Sequence, residues 1–461
     1  MTLANKPNTS RAPTALKDTA MILFFAIVAS GVVYRSFCLA PDSSEGRTRM
    51  YRDFDDTIYY PIRAVWDGVN PYNSNTELPT DYMQQYPVTN HFPLYSPLML
   101  LLYAPFAVPP VLVATILYAL CSLALLLVFA WSVLRLVNGS ARPAVVCGFA
   151  GLLLLLQPGR TALQSGQISL ALSVAMMVAL EFGERRKHAN LSSWYSALGL
   201  VFLTLKPTFG GPAGLLLAAR GDARSAFRGL FIGGMCFLLG LAIVFARAGE
   251  LSAGTLSSRL TSNQTHFQSH PDVQTVSTSG RVDAASSVEY LLDRTLPASG
   301  TVGIGLFMLA IASCVLWLTQ SESSSSATSV NSAFLLLTMF CCIYHQIYEI
   351  VLLALPILAG YCGSHPSWLE LGTGPRRTVI ALLCLPFVNI LILHGLRPAI
   401  AATANLIPSS PDFAETLVRI ANACNGVALA IAWAILACAL VRVAYHKRSS
   451  LQHSQTAFHT T

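Results

Sequence analysis

A chain of 461 residues with 54% hydrophobic and only 11% charged residues, at a mean hydropathy of +0.55, carries more apolar surface than a water-soluble globule can enclose. A soluble enzyme or carrier is thereby excluded, and the chain reads as a membrane protein. Its net charge of +7 is spread over the short segments between apolar runs, which is the pattern of a topogenic signal and not of a nucleic-acid footprint.

Residues 1–18 form a polar tail with Pro7 and Pro13. No small-residue cleavage site follows the first apolar run, so that run is expected to stay in place as a helix. Stretches suited to a hydrocarbon layer of about 30 Å follow at 19–39, 111–134, 143–157, 167–182, 191–205, 207–219, 229–246, 299–318, 331–344, 346–362, 377–395 and 418–442. Lipid offers no partner to an unpaired backbone group, so each must be helical. The expected fold is all-α, a polytopic transmembrane helix bundle of about 12 helices. The runs at 207–219 and 331–344 are short and are expected to be tilted, half-buried or re-entrant. Residues 19–442 form the membrane domain, and 443–461 a second tail.

Lys17, Arg135, Arg142, Arg185, Arg186, Lys187, Arg220, Arg224, Arg228, Arg376, Arg377, Arg442 and Lys447 fall between alternate runs. The intervening short turns hold little besides Arg160, Lys206 and Arg397. By the positive-inside rule both termini are cytoplasmic, in a multi-pass protein of the inner (plasma) membrane.

Two outer segments are long, 40–110 and 247–298. The first contains "RDFDDTIYYPIRAVWDGVNPYN", residues 52–73, which gathers Asp53, Asp55, Asp56 and Asp67 in an extracytoplasmic loop expected outside the bundle core. It ends in "HFPLYSPLMLLLYAPFAVPP", residues 91–110, a proline-punctuated apolar stretch too short to span. That stretch is expected at the interface, with Tyr95, Tyr103 and Phe106 at headgroup level. The second outer segment is Ser/Thr-rich with His266 and His270, and "SESSSSATS" at 321–329 is a low-complexity cytoplasmic linker.

The remaining polar residues collect at outer turns. "LQSGQISLAL" (163–172) supplies Gln164, Ser165 and Gln167; "LTLKPTFGGP" (203–212) supplies Lys206; "CCIYHQIYEIVLLALP" (341–356) supplies Tyr344, His345, Tyr348 and Glu349. Ionisable groups at a membrane boundary are costly. A single polar residue at a helix end needs no function, but here all of them share the face of the acidic loop. Glu349 follows His345 by one turn and is placed to hold its ring. The eleven cysteines lie almost wholly in apolar runs, and adjacent Cys341 and Cys342 have the wrong spacing for a CxxC pair, so they read as packing residues without a disulfide framework.

The order "RDFDDTIYYPIRAVWDGVNPYN", "FPLYSPLMLLLYAPFAVPP", "GQISLAL", "LKPTFG", "YHQIYEIVLLALP" resembles glycosyltransferase family 87, the polyprenol-phosphate-dependent mannosyltransferase group of the GT-C superfamily. The resemblance implies a GT-C-like bundle, a catalytic carboxylate in the first outer loop, a polyprenyl-phosphate hexose (mannose) as donor, and inversion. The acceptor it implies is an extracytoplasmic lipid-linked or glycan molecule. The family pattern has an Asp a few residues ahead of an aromatic pair, then Gly, then Pro-Tyr. Asp55 stands four before Tyr59-Tyr60, with Gly68 and Pro71-Tyr72 following, and is the first choice for the general base; Asp53 is the second.

Asp53-Phe54-Asp55 also has the DxD form of metal-binding sugar-nucleotide enzymes. A monophosphate lipid donor offers a metal no diphosphate to clamp, so no metal and no cofactor are expected. Charge building on the departing phosphate calls for cations or donors. Lys206 and His345 are expected there, with Arg160 and Gln167 behind them, and Tyr59, Tyr344 and Tyr348 complete the expected substrate-binding residues. Asp67 reads as a turn carboxylate. The partners implied are the donor, the acceptor and membrane lipids, with no nucleic acid. Of the alternatives, a transporter or flippase would place paired charges or broken helices at the midplane, and a glycan ligase or polymerase of envelope assembly is the other reading.

Overall fold

A computed structural model of the chain describes residues 12–38, 52–72, 86, 95–139, 141–183, 189–248, 254, 258, 281–292, 294, 296–320, 326–388 and 411–459. His266, His270, residues 321–325 of the linker and the end of the run at 377–395 lie outside the described residues.

The elements in order are α1 (Ala12–Cys38), an acidic coil over 52–66, two short turns (Leu98–Leu102 and Ala104–Ala107), α2 (Val111–Asn138), α3 (Pro143–Leu155), α4 (Gln157–Gln164), α5 (Ser169–Glu181), α6 (Ala189–Leu203), α7 (Pro207–Arg220), α8 (Ala223–Ala248), α9 (Ala284–Leu292), α10 (Ala298–Leu318), α11 (Val330–Cys342), a 3-10 turn (Ile347–Leu353), α12 (Ala354–Cys362), a short turn (Pro366–Glu370), α13 (373–388) and α14 (Pro411–His459). Among the described residues there is no strand, only an isolated antiparallel bridge between Arg281 and Gln346. The bundle is all-α, and each of the twelve apolar stretches falls mainly on helix where it is described, with non-helical residues such as Leu156, Gln167 and Ile343 at their ends.

Length sorts these helices into two kinds. By length and composition α1, α2, α8, α10 and α14 can cross a membrane, and α3 with α4, meeting at 82°, adds a sixth if counted as one broken span. The others include 13-residue α5 and α11, about 20 Å long at 1.5 Å per residue. They are short because they are enclosed. Every residue of α11 is buried, whereas α1 and α8 present Ile27, Phe227, Phe231 and Leu238 outward. The long helices thus present apolar side chains outward, and α5 and α11 lie largely in the interior.

The breaks between helices have local causes. Leu156 is extended (φ −77°, ψ 149°) and α4 then opens on Gln157-Pro158; the proline ring can neither donate to nor fit within a helix running on from α3. Lys206 is extended (φ −116°, ψ 109°) directly before Pro207, as the residue ahead of a proline prefers. Ile343 is extended (φ −137°, ψ 161°) after α11, and the strand-like pairing continues as Val282 N donates to His345 O at 3.0 Å.

Two expectations are corrected here. The acidic segment is not a loop outside the core: Arg52–Phe54 is α-helical, Asp55–Tyr59 a π-helical turn and Tyr60–Trp66 α-helical again. Phe54, Ile58, Ile62 and Val65 recur at helical spacing and are buried. That stripe wedges the coil into the bundle, Phe54 stacking on Tyr118 of α2 at 4.4 Å between centroids. Nor do residues 95–100 of the proline-punctuated segment lie at the surface, although Leu102 and Pro105 are exposed and Tyr103 and Phe106 half-buried. Tyr95, Leu98, Met99 and Leu100 are buried, and Pro97 presses so closely on α8 that a Cβ at Gly240 would come within 2.5 Å of its carbonyl oxygen.

At the end of α7 the guanidinium of Arg220, wholly buried, pairs with Asp222 at 2.5 Å and donates to Ser332 Oγ at 2.9 Å. A residue read as a topogenic cation is therefore a tie between α7 and α11.

Close approach of α5 and α6 depends on Gly199, where a Cβ would stand 2.5 Å from the Ala175 carbonyl oxygen. Gly199→Leu is expected to lower stability by about 1–3 kcal/mol, read as a depressed thermal midpoint in detergent. An unchanged midpoint would contradict this packing.

Candidate active site at one end of the bundle

Four breaks meet at the same end: the acidic coil, residues 164–168, residues 205–206 and residues 343–346. Asp53 N donates to Ser165 O at 2.9 Å, and Ser96 N donates to Leu205 O at 3.0 Å. These backbone bonds join the coil and the Tyr95 segment to turns far along the chain.

Side chains extend the joint into a continuous polar line. The Gln167 amide donates to Asp53 Oδ2. Tyr95 OH donates to Gln167 Oε1 at 2.6 Å. The Lys206 ammonium lies 6.0 Å from the centroid of the Tyr95 ring and 5.8 Å from that of Tyr348, within cation–π range. Lys206 pairs with Glu349 Oε1, while Glu349 Oε2 receives Gln346 N at 2.9 Å and meets His345 Nδ1 at 2.8 Å. Asp53, Gln167, Tyr95, Lys206, Glu349 and His345 are thus linked in sequence.

Burial determines what each can do. The Glu349 side chain is 0% exposed and that of Lys206 11%; a carboxylate so placed is tolerable only with its charge paired and its oxygens bonded. His345 is fully buried, its ring edge-on to Phe209 and Phe340 at 4.8 and 5.1 Å between centroids. Its Nε2 has no hydrogen-bond partner among the described residues. The i,i+4 hold of Glu349 on His345 is as read from the sequence, but the imidazole faces inward and does not line an open surface.

The other expected residues lie around this line. Asp55 opens the π-helical turn and is half-buried. Tyr59 OH donates to Pro109 O at 3.0 Å. Burial raises the Tyr59 phenol above its ordinary pKa, the Arg63 charge opposing and the Asp55 charge adding to the rise. Tyr95 is raised in the same way, by burial first and then by the negative charges of Asp53 and Glu349, which keeps it a donor. Tyr344 borders the cluster through Gln346, whose amide donates to its hydroxyl. Arg160, half-buried on α4, makes no ion pair among the described residues and faces the like charge of Arg35 at the end of α1. Asp67 caps its helical segment and accepts from Tyr86 OH at 2.5 Å, a structural role.

Three features were not read from the sequence. Tyr95, expected at the headgroups, is the relay between Gln167 and Lys206. Asp56 is buried, 1% exposed, among acids that sequence alone does not rank. Arg281 stands 5.1 Å over the Tyr344 ring and is held by Asp283 and Glu289, each at 3.0 Å, so the end of the second long outer segment is strapped onto the site. One signal was available: Asp283 immediately precedes α9 and accepts from Ser286 N at 2.9 Å, an N-cap in a Ser/Thr-rich stretch. Among the described residues no group of three or more His, Cys, Asp or Glu is arranged to hold a metal ion.

Removing one member of a buried ion pair strands the other. Lys206→Met is expected to cost about 3–5 kcal/mol, and adding Glu349→Gln should restore part of that loss instead of deepening it. Thermal midpoints of both singles and the double check this; additive losses would mean that the two charges are not partners.

Compared with models of known families, the chain matches the one described as Glycosyltransferase family 87 over residues 93–343, more than half its length. The matched segment contains Tyr95, Arg160, Gln167 and Lys206; Asp53, Asp55 and Tyr59 precede it, and Tyr344, His345 and Tyr348 follow. No curated protein and no solved structure matches the chain.

Proposed function

The chain belongs to glycosyltransferase family 87 and is a membrane glycosyltransferase, and from that premise we propose that it moves a hexose from a polyprenyl-phosphate donor to a lipid-linked or glycan acceptor on the extracytoplasmic face of the inner (plasma) membrane. Mannose is the sugar proposed, on the family resemblance stated above. The observation that carries this reading is the polar line from Asp53 through Gln167 and Tyr95 to Lys206, at the end of the bundle where the acidic coil enters.

In the proposed reaction an acceptor hydroxyl attacks the anomeric carbon from the side opposite the phosphate. The bond from that carbon to the phosphate oxygen breaks, its electron pair leaves with the polyprenyl phosphate, and a carboxylate takes the hydroxyl proton. Asp55 is the proposed base. Asp53, engaged by Gln167 and anchored through its backbone to Ser165, orders the turn that presents Asp55. A second reading, Asp53 as base, is favoured by its place on the line that leads to Lys206.

The departing phosphate needs positive charge opposite it. Lys206 and His345 are both committed to Glu349, so in this reading they order the Ile347–Leu353 turn and its Tyr348, with Tyr344 and Tyr59 lining the approach. The phosphate falls to Arg160, whose guanidinium makes no ion pair among the described residues and feels the like charge of Arg35. An anion between Arg160 and Arg35 would relieve that repulsion, and Arg presents a planar fork suited to phosphate.

Purified protein incubated with radiolabelled polyprenyl-phosphate mannose and membrane lipid extract is expected to yield a labelled lipid or glycan. Failure of every polyprenyl-phosphate hexose tried would overturn the donor class. Asp55→Asn is expected to reduce turnover by about 10²–10⁴-fold with the thermal midpoint kept; full activity there, with loss in Asp53→Asn, transfers the role to Asp53. Arg160→Ala should raise the donor KM roughly tenfold or more with the acceptor KM unchanged, and an unaltered donor KM would remove Arg160 from the phosphate.

A further inference from the structure

At the end of the bundle opposite the acidic coil lies a cavity of about 790 Å³ between the start of α11, the Pro366–Glu370 turn and α14. The active-site reading makes no use of it. Its walls are mostly apolar, Ile435 and Ala439 of α14 and Leu371 among them. Arg442 and His446, four residues apart on one face of α14, also line it. Arg442 is exposed and makes no ion pair among the described residues. Across the cavity stand His365 and one carboxylate, Glu370. His365 Nδ1 accepts from Ser367 N and so brings no charge; Arg442, a guanidinium without an ion pair among the described residues, is the group there to receive an anion.

The route of entry distinguishes a lipid from a soluble anion. α14 carries exposed Ile431 and Val441 before and among the cavity residues, so the helix is open to hydrocarbon along the same stretch. Apolar walls with a guanidinium among them match an amphiphile with a charged head and an apolar tail, and basic pockets between membrane helices take phosphate headgroups.

We propose that this cavity seats one anionic phospholipid of the surrounding membrane, an acyl chain lying along Ile435 and Ala439 and the phosphate held between Arg442 and His446. The seated lipid fixes α14 against α11 and the Pro366–Glu370 turn.

The full chain is placed in nanodiscs of equal phosphatidylglycerol and phosphatidylcholine, and the lipid retained on release is identified by native mass spectrometry. Wild-type protein is expected to keep one phosphatidylglycerol in preference to phosphatidylcholine. Arg442→Ala/His446→Ala should lose that preference by roughly fivefold per basic residue removed, whereas Arg135→Ala, an exposed cation beside Trp131 and away from the cavity, should keep it. Ala439→Phe, which fills the apolar wall and leaves Arg442 and His446, should also expel the lipid. Three results overturn the proposal: equal retention of the two lipids by wild type, full phosphatidylglycerol retention by the double variant or by Ala439→Phe, or displacement of the lipid by millimolar inorganic phosphate.

Discussion

One buried carboxylate organises this end of the molecule. Glu349 is wholly removed from solvent, yet three separate donors converge on it: Lys206 from the break before α7, His345 from the extended segment after α11, and the backbone of Gln346. In an apolar interior such a group is stable only while all its partners are present. The requirement fixes three pieces of backbone relative to one another. Tyr348, carried on the same turn, and Tyr95, under the Lys206 ammonium, are placed as a consequence.

Prolines make that convergence possible. Pro158 ends the run of α3 and turns α4 through 82°, so that Ser165 and Gln167 reach the acidic coil. Pro207 holds Lys206 extended where a continuous helix would have carried its side chain away from Glu349. The pairing of Arg281 and Val282 with residues 345 and 346 does the same for His345 without a proline. Apolar helices supply the walls, and the points at which they fail supply the chemistry.

Much of this was legible in the chain. Apolar runs located the helices, and the polar residues of "GQISLAL", "LKPTFG" and "YHQIYEI" were read at one end, where Gln167, Lys206 and Glu349 are indeed connected. What was not legible was partnership. Lys206 and Glu349 are 143 residues apart and Gln167 and Asp53 are 114 apart, separations over which residue type carries no distance. Lys206 and His345 therefore looked like two cations awaiting a ligand when each already has the same carboxylate. The acidic segment looked like an exposed loop because its charges masked the stripe of Phe54, Ile58, Ile62 and Val65 that buries it. Tyr95 was assigned to the headgroups on residue type alone, which cannot distinguish an aromatic ring at an interface from one on a hydrogen-bonded relay.

α11 has a further consequence for how the chain reaches this state. It is 13 residues long with Asn331, Ser332 and Thr338 along it, and none of it meets lipid. Part of its enclosure comes from α14: Trp433 stacks on Phe334 at 5.6 Å between centroids and donates its indole N–H to Thr338 Oγ1 at 2.9 Å. During synthesis α11 leaves the ribosome about 100 residues ahead of that tryptophan. In the interval its polar side chains must be sheltered by helices already inserted or by the translocation machinery, because the hydrocarbon offers them nothing. α14 therefore closes over a helix that precedes it, and the enclosure of α11 is complete only when α14 has been laid down.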